Sequence, residues 1–176
     1  MSESRVVIRQ VGKPGDLGWM VLAHGEIYAA EYGWDTTFEA LVARIVADFG
    51  ASPGSRLQRG WIAELDGRRV GCVLCVPADD TTAQLRILLV DPVARGHGIG
   101  AMLVDECVAF ARGSGYARMR LWTNDPLVSA RRIYLFRGFT LVEEEPHHSY
   151  GADLVGQIYE LDLRRAPLRP RPAEVN

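Results

Sequence analysis

Two segments joined by a short loop decide the fold: Leu85-Arg-Ile-Leu-Leu-Val90 and, after Asp91-Pro92, Arg95-Gly-His-Gly-Ile-Gly100 running on into Ala101-Met-Leu-Val104. The first is a near-continuous apolar run, the pattern of a strand buried on both faces. Asp91-Pro92 ends it, because proline brings no N–H to a sheet ladder. From Gly98 to Arg112, the apolar positions Leu103, Val104, Cys107, Val108 and Phe110 predict an amphipathic helix, stopped at Gly113–Gly115. The glycines between strand and helix remove Cβ atoms where backbone must approach a ligand closely. The first helical turn adds unpaired N–H groups and the positive end of the helix dipole. Together these features predict an anion site, most naturally for phosphate or pyrophosphate.

Three glycine-loop designs compete for this segment. A Walker loop needs Gly-Lys-Ser/Thr, and Lys13 is the only lysine in the chain. A dinucleotide fingerprint needs Gly-x-Gly-x-x-Gly after the first strand; here the spacing is Gly-x-Gly-x-Gly after the fourth. The acyl-CoA pyrophosphate loop, Arg/Gln-x-x-Gly-x-Gly/Ala, is matched by Arg95, Gly98 and Gly100.

Outward from the loop, the pattern predicts a strand over Val6–Val11 and a helix over Leu17–Ala30 capped by Asp16. A second helix follows Thr36, with Glu39 completing a capping box. Trp61–Leu65 and Arg69–Val76 read as a hairpin turned at Asp66-Gly67. Beyond the central helix come a strand over Arg118–Thr123, a short helix over Ser129–Phe136, and strands over Phe139–Glu144 and Gln157–Leu163. Between those last strands, a polar loop is expected to carry His147, His148 and Gly151. The order predicts an α/β (α+β) domain over residues 1–165, with helices flanking a mixed sheet. Residues 166–176 read as an exposed tail of proline and arginine.

Composition narrows the function. The 176 residues are 48% hydrophobic and 24% charged, with net charge −2, an ordinary globular balance. That charge argues against a nucleic-acid or anionic-membrane partner. No apolar run approaches the roughly 20 residues needed to span a bilayer, and the start lacks the pattern of a signal peptide. Arginine outnumbers lysine 19 to one, as expected of a GC-rich, bacterial genome. Cys72, Cys75 and Cys107 have no framework spacing, which fits a reducing cytoplasm. Cys72 and Cys75 stand three apart on a strand and should point to opposite faces, so they read as buried thiols. Adjacent His147 and His148 near Glu143–Glu145 lack the usual ligand spacing, and no metal is expected.

With the loop and element order in hand, the chain resembles the GNAT (N-acetyltransferase) superfamily from its first strand to about Leu163. A second signature supports the resemblance: Asn124, then Ala130-Arg-Arg-Ile-Tyr134 and Gly138-Phe139. More narrowly, His24-Gly-Glu-Ile-Tyr28, Glu31-Tyr-Gly-Trp-Asp35, Leu121-Trp-Thr-Asn-Asp125 and Pro146-His-His-Ser-Tyr150 are similar to acetyltransferase domains fused behind MarR-type regulators.

The resemblance implies a mostly antiparallel sheet of about seven strands with about four helices, and acetyl-CoA as co-substrate. Leu88, Leu89 and Val90 would pair with the pantetheine arm in a gap where the sheet splays. Arg95, Gly96, His97, Gly98, Ile99, Gly100 and Ala101 would wrap the pyrophosphate. Asn124 would contact the cofactor or order the splay, and Tyr134 would sit near the thioester sulfur as the acid for the leaving thiolate. Val90 N–H is the implied oxyanion donor. Many members carry a glutamate base where this chain has Gln84, an amide that takes no proton. Glu26, Glu31, a held water, His147 and His148 are the substitutes that the sequence leaves open.

The expected activity is acetyl transfer to a primary amine of a small molecule or protein by direct attack. A non-catalytic acyl-CoA sensor is the alternative, motivated by Gln84. Tyr28, Tyr32 and Trp34 lie near the expected acceptor cleft but read as core aromatics, and Trp61 and Trp122 as packing residues. A homodimer is a further expectation, through the apolar final strand Ile158–Leu163.

Overall fold

The computed structural model describes residues 5–165; the tail expected over 166–176 lies outside the described residues. The elements run β1 (Val6–Gln10), α1 (Asp16–Tyr32), α2 (Thr36–Gly50), β2 (Arg59–Leu65), β3 (Arg68–Pro77), β4 (Thr82–Val90), a 3-10 turn at Pro92–Ala94, α3 (Ile99–Gly113), β5 (Arg118–Asn124), α4 (Val128–Phe136), β6 (Thr140–Ser149) and β7 (Ala152–Asp162). Seven strands form one sheet in the order β1-β2-β3-β4-β5-β7-β6. Only the β4–β5 pair is parallel.

Helices cover both faces of the sheet. Leu103, Val104, Cys107 and Ala111 of α3 pack with Tyr134 of α4 over Ala63, Val73, Cys75, Leu85 and Leu121. On the opposite face, Met20, Ala23, Val42 and Val46 of α1 and α2 cover Ile62, Cys72, Leu74 and Leu89. Cys72 and Cys75 therefore do enter opposite cores, and both are free and buried. The Asp66-Gly67 turn has φ of 50° and 80°, the left-handed pair that a tight hairpin needs.

Two helix starts differ from the sequence reading. Gly15 occupies the N-cap of α1 at φ 90°. The Asp16 carboxylate is buried and turns backwards, accepting from Gly12 and Lys13 N–H and pairing with Arg9 and Arg69 at 2.8 Å each. Burial works to raise its pKa. The Arg9 hydrogen bond, with help from Gly12, Arg69 and Lys13, outweighs that and holds it well below the usual carboxylate range. At α2 the cap is Asp35 rather than Thr36, accepting from Thr37 N–H at 2.9 Å.

The final third departs furthest from expectation. His147 and His148 lie on β6, not in a loop, and β6 pairs with β7 from Thr140 to Ser149. The hairpin turns tightly at Tyr150 and Gly151, with φ of 59° and 79°. Strand β6 is a sheet edge, where Pro146 and a run of charge are tolerated because one side needs no partner. Strand β7 is enclosed between β5 and β6. Its apolar residues are explained by that burial, with Tyr159 and Leu161 in the core, so they lend no support to dimerisation. Trp122 does pack, but at the surface: it is 45% exposed and lies against the His147 ring. Among the described residues, no helix is long and apolar enough to cross a membrane.

His24 of α1 is fully buried. Its Nδ1 donates to Met20 O at 2.7 Å, and its Nε2 has no hydrogen-bond partner. Burial lowers its pKa from 6.5 to about 4. The unfolded chain therefore binds a proton that the folded chain refuses. The stability involved is fully present above pH 6.5 and is lost as pH falls towards 4. About 2 kcal/mol should disappear between pH 7 and pH 5. Urea midpoints of wild type and His24→Leu at both pH values check this. The variant should show a flatter pH dependence, and an equal slope in both proteins would exclude His24 as its source.

Candidate active site

The site begins with a fault in β4. Arg86 pairs with Leu74 and Leu89 with Cys72, so Ile87 and Leu88 together oppose the single residue Val73. Ile87 is driven to φ 49°, a rare conformation for a β-branched residue. This bulge reverses the strand's alternation. Ala83 and Leu85 face α3, yet beyond the bulge it is Leu88 and Val90 that face α3 and α4. Ile87 and Leu89 turn towards α1 and α2.

The sheet also opens here. Strands β4 and β5 pair only from Thr82–Arg118 to Leu85–Leu121, while β5 continues beside β7 to Asn124. The β4 edge over Leu88–Val90 is left without a strand neighbour on that side. Asp91 N–H donates back to Val70 O at 2.7 Å. Neighbouring N–H groups alternate along a strand, so Val90 N–H points away from β3 and into the gap.

A cavity of about 390 Å³ fills this gap. Its floor is Leu88, Leu89 and Val90, and one wall is Ile27, Tyr28, Glu31 and Tyr32 of α1. Leu127, Ser129, Ala130 and Ile133 make the opposite wall. Arg95, Gly96, Gly98, Ile99, Gly100 and Ala101 close the end. The sequence names Glu31 of α1 and Tyr134 of α4 and sets Tyr28 and Tyr32 near the cleft, but Ile27, Leu127, Ser129, Ala130 and Ile133 are lining residues that it misses. The helical spacing from Tyr134 back to Ala130, and from Ala130 on to Ile133, was the available signal for α4.

The three loop glycines serve two different needs. Gly96 and Gly98 have φ of 86° and 70°. A Cβ would meet nothing within 4 Å at Gly96, and only Met102 Cε at 4.0 Å at Gly98. Protein packing therefore does not demand glycine at either position. Their backbone angles do, and they leave open a cradle that a side chain would fill. At Gly100 the reason is packing: a Cβ would sit 2.8 Å from Ile133 Cδ1, so the glycine lets α4 close against α3. The cradle, the start of α3 and the exposed edge of β4 face one cavity, which offers N–H groups suited to an anion beside a strand edge free to bond an extended arm.

Other expected site residues lie elsewhere. His97 does not line the cavity; its Nδ1 donates to Ala94 O at 3.1 Å. Asn124 is buried, and its Oδ1 accepts from His147 Nε2 at 2.8 Å, which ties β6 to β5. The other ring nitrogen of His147 meets Ser149 Oγ at 2.9 Å. His148 is exposed and paired with Asp153. Glu26 is exposed and outside the cavity. Glu31 does reach the cavity, but its carboxylate is ion-paired with Arg95. None of the four side chains offered as bases is both free and at the cavity.

Tyr134 stands just behind the lining, 4% exposed and packed against Phe139 and Tyr159. Burial, then the neighbouring Tyr28 phenol and Cys107, pushes its pKa well above the usual phenol value. Burial does the same to Tyr28. Both phenols hold their protons, and neither hydroxyl is a sealed, partnerless polar atom.

The family model for the acetyltransferase (GNAT) family matches residues 22–139. An uncharacterised N-acetyltransferase of Schizosaccharomyces pombe is 30% identical over 152 residues, covering 84% of this chain and 91% of that protein. Human N-acetyltransferase 8B is 39% identical over 115 residues, which is 60% of this chain but only 51% of the human protein. The Salmonella typhimurium protein yncA, solved with its cofactor acetyl-CoA, superposes with a TM-score of 0.71 at 19% identity, covering 90% of this chain and 94% of that one. The chain belongs to the acetyltransferase (GNAT) family, whose chemistry is acetyl transfer from acetyl-CoA to an amine. Membership favours the enzyme over a purely cofactor-binding module.

Proposed function

We propose that residues 1–165 act as one catalytic domain whose cleft between β4, α1 and α4 holds acetyl-CoA, and that the acceptor is a primary amine of a small molecule or protein. The observation that carries this reading is the meeting, in one cavity, of the unpaired Leu88–Val90 edge with the Gly96–Gly98 cradle at the start of α3. The diphosphate lies on the N–H groups from Gly96 to Ala101, with Arg95 adding charge. The amide-bearing arm bonds to Leu88–Val90 as an added strand.

When bound, acetyl-CoA supplies an activated acyl group as a thioester. The chain's own residues would hold it so that the amine can reach the thioester carbonyl carbon from the gap. Val90 N–H, aimed into that gap, donates to the oxygen on which charge develops. Tyr134 donates to the departing sulfur. Gln84 accepts no proton, Glu31 is engaged by Arg95, and Glu26, His147 and His148 stand outside the cavity, so a held water takes the amine proton to solvent.

The narrower kinship with domains that follow MarR-type regulators rests on the four quoted segments. The arginine-rich composition and three free cysteines fit a bacterial cytoplasm.

Acetyl-CoA consumption and free thiol release, followed across a panel of small amines, amino acids, polyamines and peptide N-termini, test the proposal. At least one class should give saturable, amine-dependent turnover. Tight CoA binding with no turnover across the panel would overturn catalysis and leave a binding module.

A further inference from the structure

Arg95 is the charged residue of the proposed diphosphate loop, yet it already has an anion. Its guanidinium is paired with Glu31, 64 residues earlier, and both side chains line the cofactor cavity. Glu31 lies in the last turn of α1. The helix carbonyls there present the negative end of the dipole, and a carboxylate is disfavoured. No basic residue occupies that turn to offset it. The cation that Glu31 meets is Arg95, from the loop across the cavity. Tyr28 and Tyr32 flank the pair, and the pKa of each responds to both charges. Burial and the Glu31 charge both keep these phenols protonated, so neither adds a competing anion.

We infer that Glu31 is an internal competitor of the cofactor's diphosphate for Arg95, and not the base of the reaction. This rests on the reading of the cavity as the acetyl-CoA site. In the free enzyme, the carboxylate holds Arg95 and ties α1 to the loop. The diphosphate binds by drawing Arg95 away from Glu31. When spent CoA leaves, Glu31 takes Arg95 back. The pair thus lowers affinity for any ligand that brings a diphosphate and hastens its departure. A ligand with the same arm but no diphosphate leaves the pair intact and is indifferent to Glu31.

Calorimetric titration of CoA and of acetylpantetheine, which has no diphosphate, into wild type, Glu31→Gln, Arg95→Gln and the double variant tests this. Glu31→Gln should bind CoA about two- to fivefold tighter, the range set by a partly exposed ion pair. Its affinity for acetylpantetheine should be unchanged. In the Arg95→Gln background, the same substitution should give no gain, because the contested cation is gone. Unchanged or weaker CoA binding by Glu31→Gln would overturn the inference. So would an equal gain for both ligands. Loss of turnover with CoA affinity unaltered would make Glu31 the base instead. A wild-type protein that binds no CoA would fail earlier, at the reading of the site itself.

Discussion

Gly98→Val is expected to abolish measurable CoA binding, weakening it by at least about 100-fold, or roughly 2.7 kcal/mol. Gly98 caps α3 at φ 70°, where a β-branched residue is strained by about 1–3 kcal/mol. Its side chain would also enter the open cradle, where the protein offers only Met102 Cε at 4.0 Å. The strain is local and small beside a domain's usual stability of roughly 5–15 kcal/mol, so the fold should persist. Gly98→Asn separates the two effects, because asparagine tolerates the left-handed region far better than valine. If the cradle holds phosphate, Asn should also weaken binding strongly while melting close to wild type. Unchanged CoA affinity by calorimetry in either variant would remove the loop from the site.

Tyr134→Phe is expected to lower kcat by roughly 100-fold with CoA affinity within about twofold. The substitution keeps the ring packed on Phe139 and Tyr159 and deletes only the hydroxyl. Burial raises the phenol above its usual value, while a free thiol titrates near about 8.5. A phenol this weak does not surrender its proton to the sulfur outright. It stabilises the departing thiolate as a hydrogen-bond donor, which predicts no break in the rate profile from Tyr134 below about pH 10. Turnover within about threefold of wild type, at a step limited by chemistry, would leave solvent to receive the thiolate.

The loop and its helix were legible because their signals are local. Glycine spacing, a preceding apolar strand and an amphipathic helix all fall between Leu85 and Arg112. The bulge was not legible. Ile87, Leu88 and Leu89 are apolar whichever face they take, so composition hides the reversal that points Val90 into the gap. The extent of β6 was missed because an edge strand can be charged and contain proline, and Thr140–Ser149 imitates a loop in composition. Glu31 was found as a candidate, but its partner Arg95 comes from a different layer of the fold. No spacing rule reaches that contact. Asn124 was singled out by its place in a motif, and only the pairing of β5, β7 and β6 shows its amide bonded to His147.

A crystal structure of the chain with CoA tests the central claim most directly. The diphosphate should lie within hydrogen-bond distance of N–H groups between Gly96 and Ala101, and the pantetheine amides should bond to the Leu88–Val90 edge. Arg95 should have turned from Glu31 towards the phosphates. Density for CoA outside the β4–β5 gap, or a complex in which β4 and β5 pair beyond Leu85 and close it, would contradict the account.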